Sequence, residues 1–371
     1  MTKMQEAFEK VGQSIWLDYI RRSFLESGEL QKLIDAGLRG MTSNPTIFAE
    51  AIAKSSDYDV ALATLVGEKK DVDEIYEALA IDDIRNAAQL FRPLHEASAG
   101  GDGYVSLEVD SRLADNTEAT IEEARRLFAM TNRANVMIKV PATTAGIPAI
   151  ATLISEGINI NVTLLFSMRH YEAVANAYLE GIERLLAKNI DPSRVASVAS
   201  FFVSRVDTVV DKKLDELGGT ATALKGKIGI ANAKMAYVRY LHLFSTRRWQ
   251  QLAAHGARPQ RILFGSTGAK DPAYADTLYV DSLMGANTVN TLPRDTLEAL
   301  LDHGTVASGL TDNLEAARQQ MNRLAALGID LDAITQELQQ AGIEKFATSF
   351  QELQQAIEQK SKQLQQATAH A

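Results

Sequence analysis

The 371-residue sequence contains no cysteine, which excludes disulfides, thiolate zinc sites, iron–sulfur clusters and cysteine nucleophiles. No stretch approaches the roughly 18 uncharged apolar residues of a transmembrane helix. The opening residues, Met-Thr-Lys-Met-Gln-Glu-Ala-Phe-Glu-Lys, lack the apolar segment of a secretory signal. An excess of positive charge is missing too: Lys and Arg number 38 against 47 Asp and Glu, a formal charge of -9. That balance opposes a nucleic-acid partner, which needs a basic face. A small phosphate needs only a local cation and a few N–H groups, and it stays admissible as a ligand. The histidines at 95, 170, 242, 255, 303 and 370 form no close pair and no HExxH, so no metal is expected. No 20–50-residue repeat signals a solenoid. These absences together lead us to expect a cytoplasmic protein with no membrane partner.

Hydrophobic residues make up 46% of the chain and charged residues 23%, enough apolar content for a large core. Short apolar runs alternate with segments of helical periodicity, as in a parallel sheet with crossover helices. Eight runs stand out: Ser14–Ile20, Leu38–Ser43, Tyr104–Val109, Asn135–Val140, Asn159–Phe166, Val195–Val203, Arg261–Gly265 and Thr288–Leu292. Eight βα units argue for a closed (β/α)8 TIM barrel, with an open doubly wound sheet as the alternative that counting alone leaves. We expect one domain over 1–371, decorated by helical insertions near 46–103 and 207–256 and by C-terminal helices over 297–366. The first insertion should include a helix over Asp71–Leu90, and the second a long one over Ile230–Ala254. Beyond the eighth strand, Leu297–Leu301, Thr311–Leu327 and the Gln-rich Leu331–Gln366 read as helices, the last with a solvated face. Residues Thr368–Ala371 should fray.

Barrel strands are covered on both faces, so an ionisable residue inside one requires explanation. In Val136-Met-Ile-Lys139-Val-Pro141, the two-residue period sets Met137, Lys139 and Pro141 opposite Val136, Ile138 and Val140. Desolvation favours the neutral amine and turns such a lysine into a nucleophile for carbonyls. An interior lysine paired with an acid for structure alone is the competing account. Asp18 and Glu108 also interrupt apolar runs, with Ser106, Glu108 and Asp110 on one face, while Asn161 and Thr163 share a face opposite Ile160, Val162 and Leu164. In a barrel these side chains converge near the C-terminal mouth, where active sites of the fold are built. Asn44-Pro45 marks a turn after the second strand. Strand six ends Ser200-Phe-Phe202-Val-Ser-Arg205 and strand seven runs into Ser266-Thr-Gly-Ala-Lys270, in the late-strand region suited to a phosphate. Gly100-Gly-Asp-Gly103 precedes a strand, the wrong order for a dinucleotide fingerprint, and Gly265-Ser-Thr-Gly-Ala-Lys270 lacks a P-loop ending.

Gly40-Met-Thr-Ser-Asn-Pro-Thr-Ile-Phe48 and Val136-Met-Ile-Lys-Val-Pro-Ala-Thr-Thr-Ala-Gly-Ile147 resemble the two signatures of the transaldolase family. Val105-Ser-Leu-Glu-Val-Asp110 and Gly157-Ile-Asn-Ile-Asn-Val-Thr-Leu-Leu-Phe166 match further family motifs in order. The resemblance spans roughly 14–295 and is to the longer bacterial members. It implies an enzyme of sugar phosphates, without metal or organic cofactor, acting as monomer or homodimer. Lys139 would form a Schiff base, Asp18 would be the acid/base at the substrate C4 hydroxyl, and Glu108 and Thr163 would hold a catalytic water. Asn44, Asn161 and Ser200 would bind substrate hydroxyls, Phe202 would wall the site, and Arg205 would grip the phosphate. Ser266 and Lys270 match less closely, because the loop after strand seven differs from that of shorter members. A related fructose-6-phosphate aldolase carries glutamine where Glu108 stands, so the carboxylate favours transfer over release. A non-catalytic sugar-phosphate-binding barrel is the third reading.

Overall fold

The computed structural model describes residues 1–369. Eight strands, β1 (Gln13–Asp18), β2 (Gly40–Thr42), β3 (Tyr104–Glu108), β4 (Val136–Pro141), β5 (Ile160–Leu165), β6 (Ser197–Phe202), β7 (Arg261–Gly265) and β8 (Thr288–Leu292), form a closed barrel in chain order. The parallel β1–β8 ladder, from Gln13 opposite Thr288 to Leu17 opposite Leu292, removes the open-sheet alternative.

Side-chain alternation sorts each strand as its sequence requires. Val136, Ile138 and Val140 join the outer core beneath the helices, whereas Met137 packs inside the barrel with Trp16, Tyr104, Val198, Leu263 and Val289. Gly40 is needed for that inner layer: a Cβ there would lie 2.4 Å from the fully buried Trp16 indole. The N-terminal end is closed by Asp102, which accepts from Ser14 Oγ at 2.7 Å and pairs with Arg39 at 2.7 Å and Arg261 at 3.0 Å. The glycine-rich loop before β3 therefore plugs the barrel floor.

One strand breaks the alternation. The β5–β6 register slips by a residue between Val162 and Leu165, and Leu164 sits at φ 61°, a left-handed conformation that is uncommon for a bulky side chain. This bulge corrects the sequence pattern. Val162 stays in the outer core, but Leu164 leaves it for a second cluster with Phe166, Phe202 and Phe346 above the barrel mouth.

Helices Pro45–Ala53, Asp59–Gly67 and Val72–Ala97 occupy the first insertion. The long helix expected over Ile230–Ala254 is two, Ile228–Leu243 and Arg247–Ala254. Thr246 accepts from Trp249 N and starts the second, since an N-cap hydroxyl satisfies a backbone donor that a continuous helix would bond internally. After β8 come Arg294–His303, Leu314–Ala326 and the terminal helix Leu331–Ala369. The terminal helix passes the expected fray point at Thr368, and His370 and Ala371 lie outside the described residues. Its face is not solvated throughout: Phe346, Phe350, Leu353 and Ile357 are buried at helical spacing. Among the described residues, no helix is long and apolar enough to cross a membrane.

Candidate active site

Lys139 sits near the C-terminal end of β4 on its inward face and is 5% exposed. Its Nζ donates to the Ser43 carbonyl oxygen at 3.0 Å and stands 2.9 Å from Glu108 Oε2. The Glu108 contact is at ion-pair distance, yet Oε2 has no aligned hydrogen bond, so we treat it as charge pairing. The register explains the meeting, because Glu108 is directly opposite Lys139 on β3. An interior ion pair therefore exists, and it is part of the mouth, not a separate filler of the barrel.

Above it a cavity of about 180 Å³ is lined by Lys139, Asp18, Asn44, Thr163, Ser200, Phe202, Arg205, Ser266 and Lys270. Asp18 ends β1, and Thr42 Oγ1 donates to its carboxylate at 2.7 Å. Burial pushes the Asp18 carboxyl above the usual range, against the opposing pull of Lys139 and Thr42. Burial pushes Glu108 up as well, again against Lys139. Arg205 lies over the Phe202 ring at 5.0 Å, and burial draws its guanidinium down. The Thr163 hydroxyl is buried and has no hydrogen-bond partner among the described residues.

Two of the expected residues stand outside the cavity wall. Asn161 is fully buried beneath it, accepting from Ser200 Oγ at 2.6 Å and donating to Ser106 Oγ at 3.0 Å. Glu108 borders an adjacent hollow with Tyr76, Arg112 and Phe350. Asn44 accepts from Ile47 N and caps the helix Pro45–Ala53, which fixes its side chain at the rim. Ser266, at φ 53°, bonds to Ser204 through their hydroxyls at 2.9 Å. Lys270 also lines a larger, outer hollow of about 730 Å³, so it stands on the ridge between the two. Asp110 leaves the strand face altogether: β3 ends at Glu108, and Asp110 caps the turn Ser111–Leu113 while pairing with Arg112.

The structure adds Thr42, Thr291, Lys345 and Phe346 to the cavity wall. Thr291 lies in β8 beside the equally polar Thr288 and Asn290, so it does not stand out from an apolar run as Asp18 and Glu108 do, and its hydroxyl meets that of Thr42 at 2.7 Å. Lys345 and Phe346 come from the terminal helix, far along the chain, and no local pattern marks them. No cluster of three or more potential metal ligands occurs among the described residues.

A closed barrel carrying a buried amine, flanking carboxylates and free cations at its C-terminal mouth defines a class: barrel enzymes equipped to handle carbonyl compounds that carry an anionic group. Residues 15–357 match the model of the transaldolase/fructose-6-phosphate aldolase family, and the chain belongs to that family. It is 48% identical to a transaldolase of Acidothermus cellulolyticus over 96% of both chains. It is 45% identical to one of Trichodesmium erythraeum, over 96% of this chain and 97% of that one. A transaldolase of Thiobacillus denitrificans is 49% identical over 93% of this chain and 96% of its own.

Proposed function

We propose that the chain is a transaldolase that moves a dihydroxyacetone unit between sugar phosphates through a Schiff base on Lys139. It converts sedoheptulose 7-phosphate and glyceraldehyde 3-phosphate into erythrose 4-phosphate and fructose 6-phosphate, a step of the non-oxidative pentose phosphate pathway. The observation that carries this reading is the Lys139 amine, 5% exposed and 2.9 Å from a carboxylate, opening into a cavity shared with Asp18.

Glu108, raised by burial, is placed to take the ammonium proton and leave a neutral amine. That amine adds to the C2 ketone, and Glu108 returns protons as hydroxide leaves as water. The free Thr163 hydroxyl supplies a hydrogen-bonding site for that water. Asp18 removes the C4 hydroxyl proton, the C3–C4 bond breaks, and its electrons enter the iminium to form an enamine. An aldose phosphate departs while the three-carbon fragment remains on Lys139 until a second aldose phosphate accepts it. Asn44 and Ser200 bind substrate hydroxyls, Asn161 acts through Ser200, Phe202 walls the site, and Arg205 holds the phosphate with Ser266 and Lys270. The chain works as a cytoplasmic monomer or homodimer built as one domain. The terminal helix packs back on the barrel mouth.

Borohydride reduction with fructose 6-phosphate, followed by mass spectrometry, should place a reduced three-carbon adduct on Lys139. An active protein without it refutes the mechanism. With erythrose 4-phosphate added, sedoheptulose 7-phosphate should form, whereas free dihydroxyacetone as the main product would identify a lyase.

A further inference from the structure

The terminal helix is drawn tightly over the barrel mouth. Gln339 Nε2 donates to the carbonyl oxygens of Ala142 and Leu164, both at 3.0 Å, just past β4 and on the bulge of β5. One turn on, Gly342 faces the same rim, and a Cβ there would lie 2.7 Å from Leu164 Cδ2 and 3.5 Å from Arg205 Nη1. A further turn brings Phe346 into the cavity, its ring centroid 5.9 Å from Lys139 Nζ. The preceding residue, Lys345, lines the same cavity.

Charge at this mouth is unbalanced. Lys139 has Glu108 as its partner, but Arg205, Lys270 and Lys345 have no carboxylate within ion-pair distance among the described residues, although all three border one small cavity. Unpaired cations converging on a cavity, two of them on long flexible stems, suit an anion that brings its own charge, and a phosphate monoester supplies nearly two negative charges at neutral pH.

We propose that Lys345 binds the substrate phosphate, so that the C-terminal helix contributes a ligand of its own to the sugar-phosphate site and sets the preference for phosphorylated over unphosphorylated sugars. The inference rests on the cavity being the sugar-phosphate site. Arg205 holds the phosphate from the barrel side and Lys345 from above. Because Lys345 is exposed and its ammonium remains partly hydrated, its loss should cost about tenfold, the low end for a charge-assisted contact.

The test compares the full-length wild type with Lys345→Met and Lys345→Arg in two measurements. In the first, the borohydride-trapped adduct is titrated with fructose 6-phosphate and with fructose. Lys345→Met should lower the preference for the phosphorylated sugar about tenfold, and Lys345→Arg should restore most of it. Equal losses for both sugars, or none, would overturn the proposal. In the second, calorimetry follows inorganic phosphate alone, whose affinity should fall by a similar factor in Lys345→Met. Unchanged affinity, or no phosphate binding by the wild type, would also overturn it. Absence of any adduct in the wild type sinks the Schiff-base reading instead, and the phosphate titration still decides the role of Lys345.

Discussion

Replacing Glu108 by Gln keeps the side chain's shape and removes the one carboxylate among the described residues at ion-pair distance from Lys139. The ammonium then has the Ser43 carbonyl oxygen as its hydrogen-bond acceptor. Leaving a buried charge without its partner costs about 3–5 kcal/mol. Screening removes little, since the two side chains are 6% and 4% exposed. Glu108 also carries a desolvation cost, visible in its raised carboxyl, and the substitution relieves part of it. The net loss should therefore fall near about 2–4 kcal/mol.

The assay is urea unfolding of wild type, Glu108→Gln, Lys139→Met and the double variant. Each single variant should be less stable than wild type. The double variant, which removes charge and partner together, should be more stable than Glu108→Gln alone, giving a coupling of about 1–3 kcal/mol. Strictly additive losses would refute the pairing and the account of the site built on it.

Thr42→Val removes the hydroxyl that stabilises ionised Asp18, so the Asp18 carboxyl should rise further and the acidic limb of kcat/KM should move to higher pH. A limb that stays in place or moves down would dissociate Asp18 from proton removal. Asp207, buried beside Tyr279, is pushed up to about 7 by burial. The folded state thus holds a proton that the unfolded chain releases near pH 4, and stability from this group is full below that pH and lost as pH rises through about 7. The loss amounts to at most about 4 kcal/mol. Asp207→Asn should flatten the fall in thermal stability between pH 5 and pH 8, and a fall as steep as in wild type would count against the shift.

The barrel was legible from the apolar pattern of its strands, and the candidate site from the places where that pattern breaks. Outward residues such as Val136, Ile138 and Val140 follow the apolar pattern, and Asp18, Glu108 and Lys139 depart from it on the inward face. The period of two was enough to tell the faces apart until β5, where it failed at Leu164. A bulge is a decision of the backbone, and nothing in Thr163-Leu-Leu165 encodes the left-handed turn that the terminal helix then meets. Asp110 was misplaced for a related reason. Alternation says which face a residue takes only while the strand lasts, and the Asp110–Arg112 pairing after Glu108 ends it.

The terminal helix was expected from the sequence, but its part in the cavity wall was not, because that contribution is tertiary. Gln-rich composition marks its outer face, and the spacing of Gln339, Gly342 and Phe346 is only that of a helix with something to cover. What it covers determines the electrostatics below. Burial is the largest cause of the upward shifts of both Asp18 and Glu108, and the buried Phe346 forms part of the cavity wall above them. A barrel mouth open to bulk water would leave two ordinary carboxylates there, ionised and weakly basic. In the proposed mechanism, the same helix that sets Lys345 on the cavity wall thus also helps to raise the acids beneath it toward the range of proton carriers.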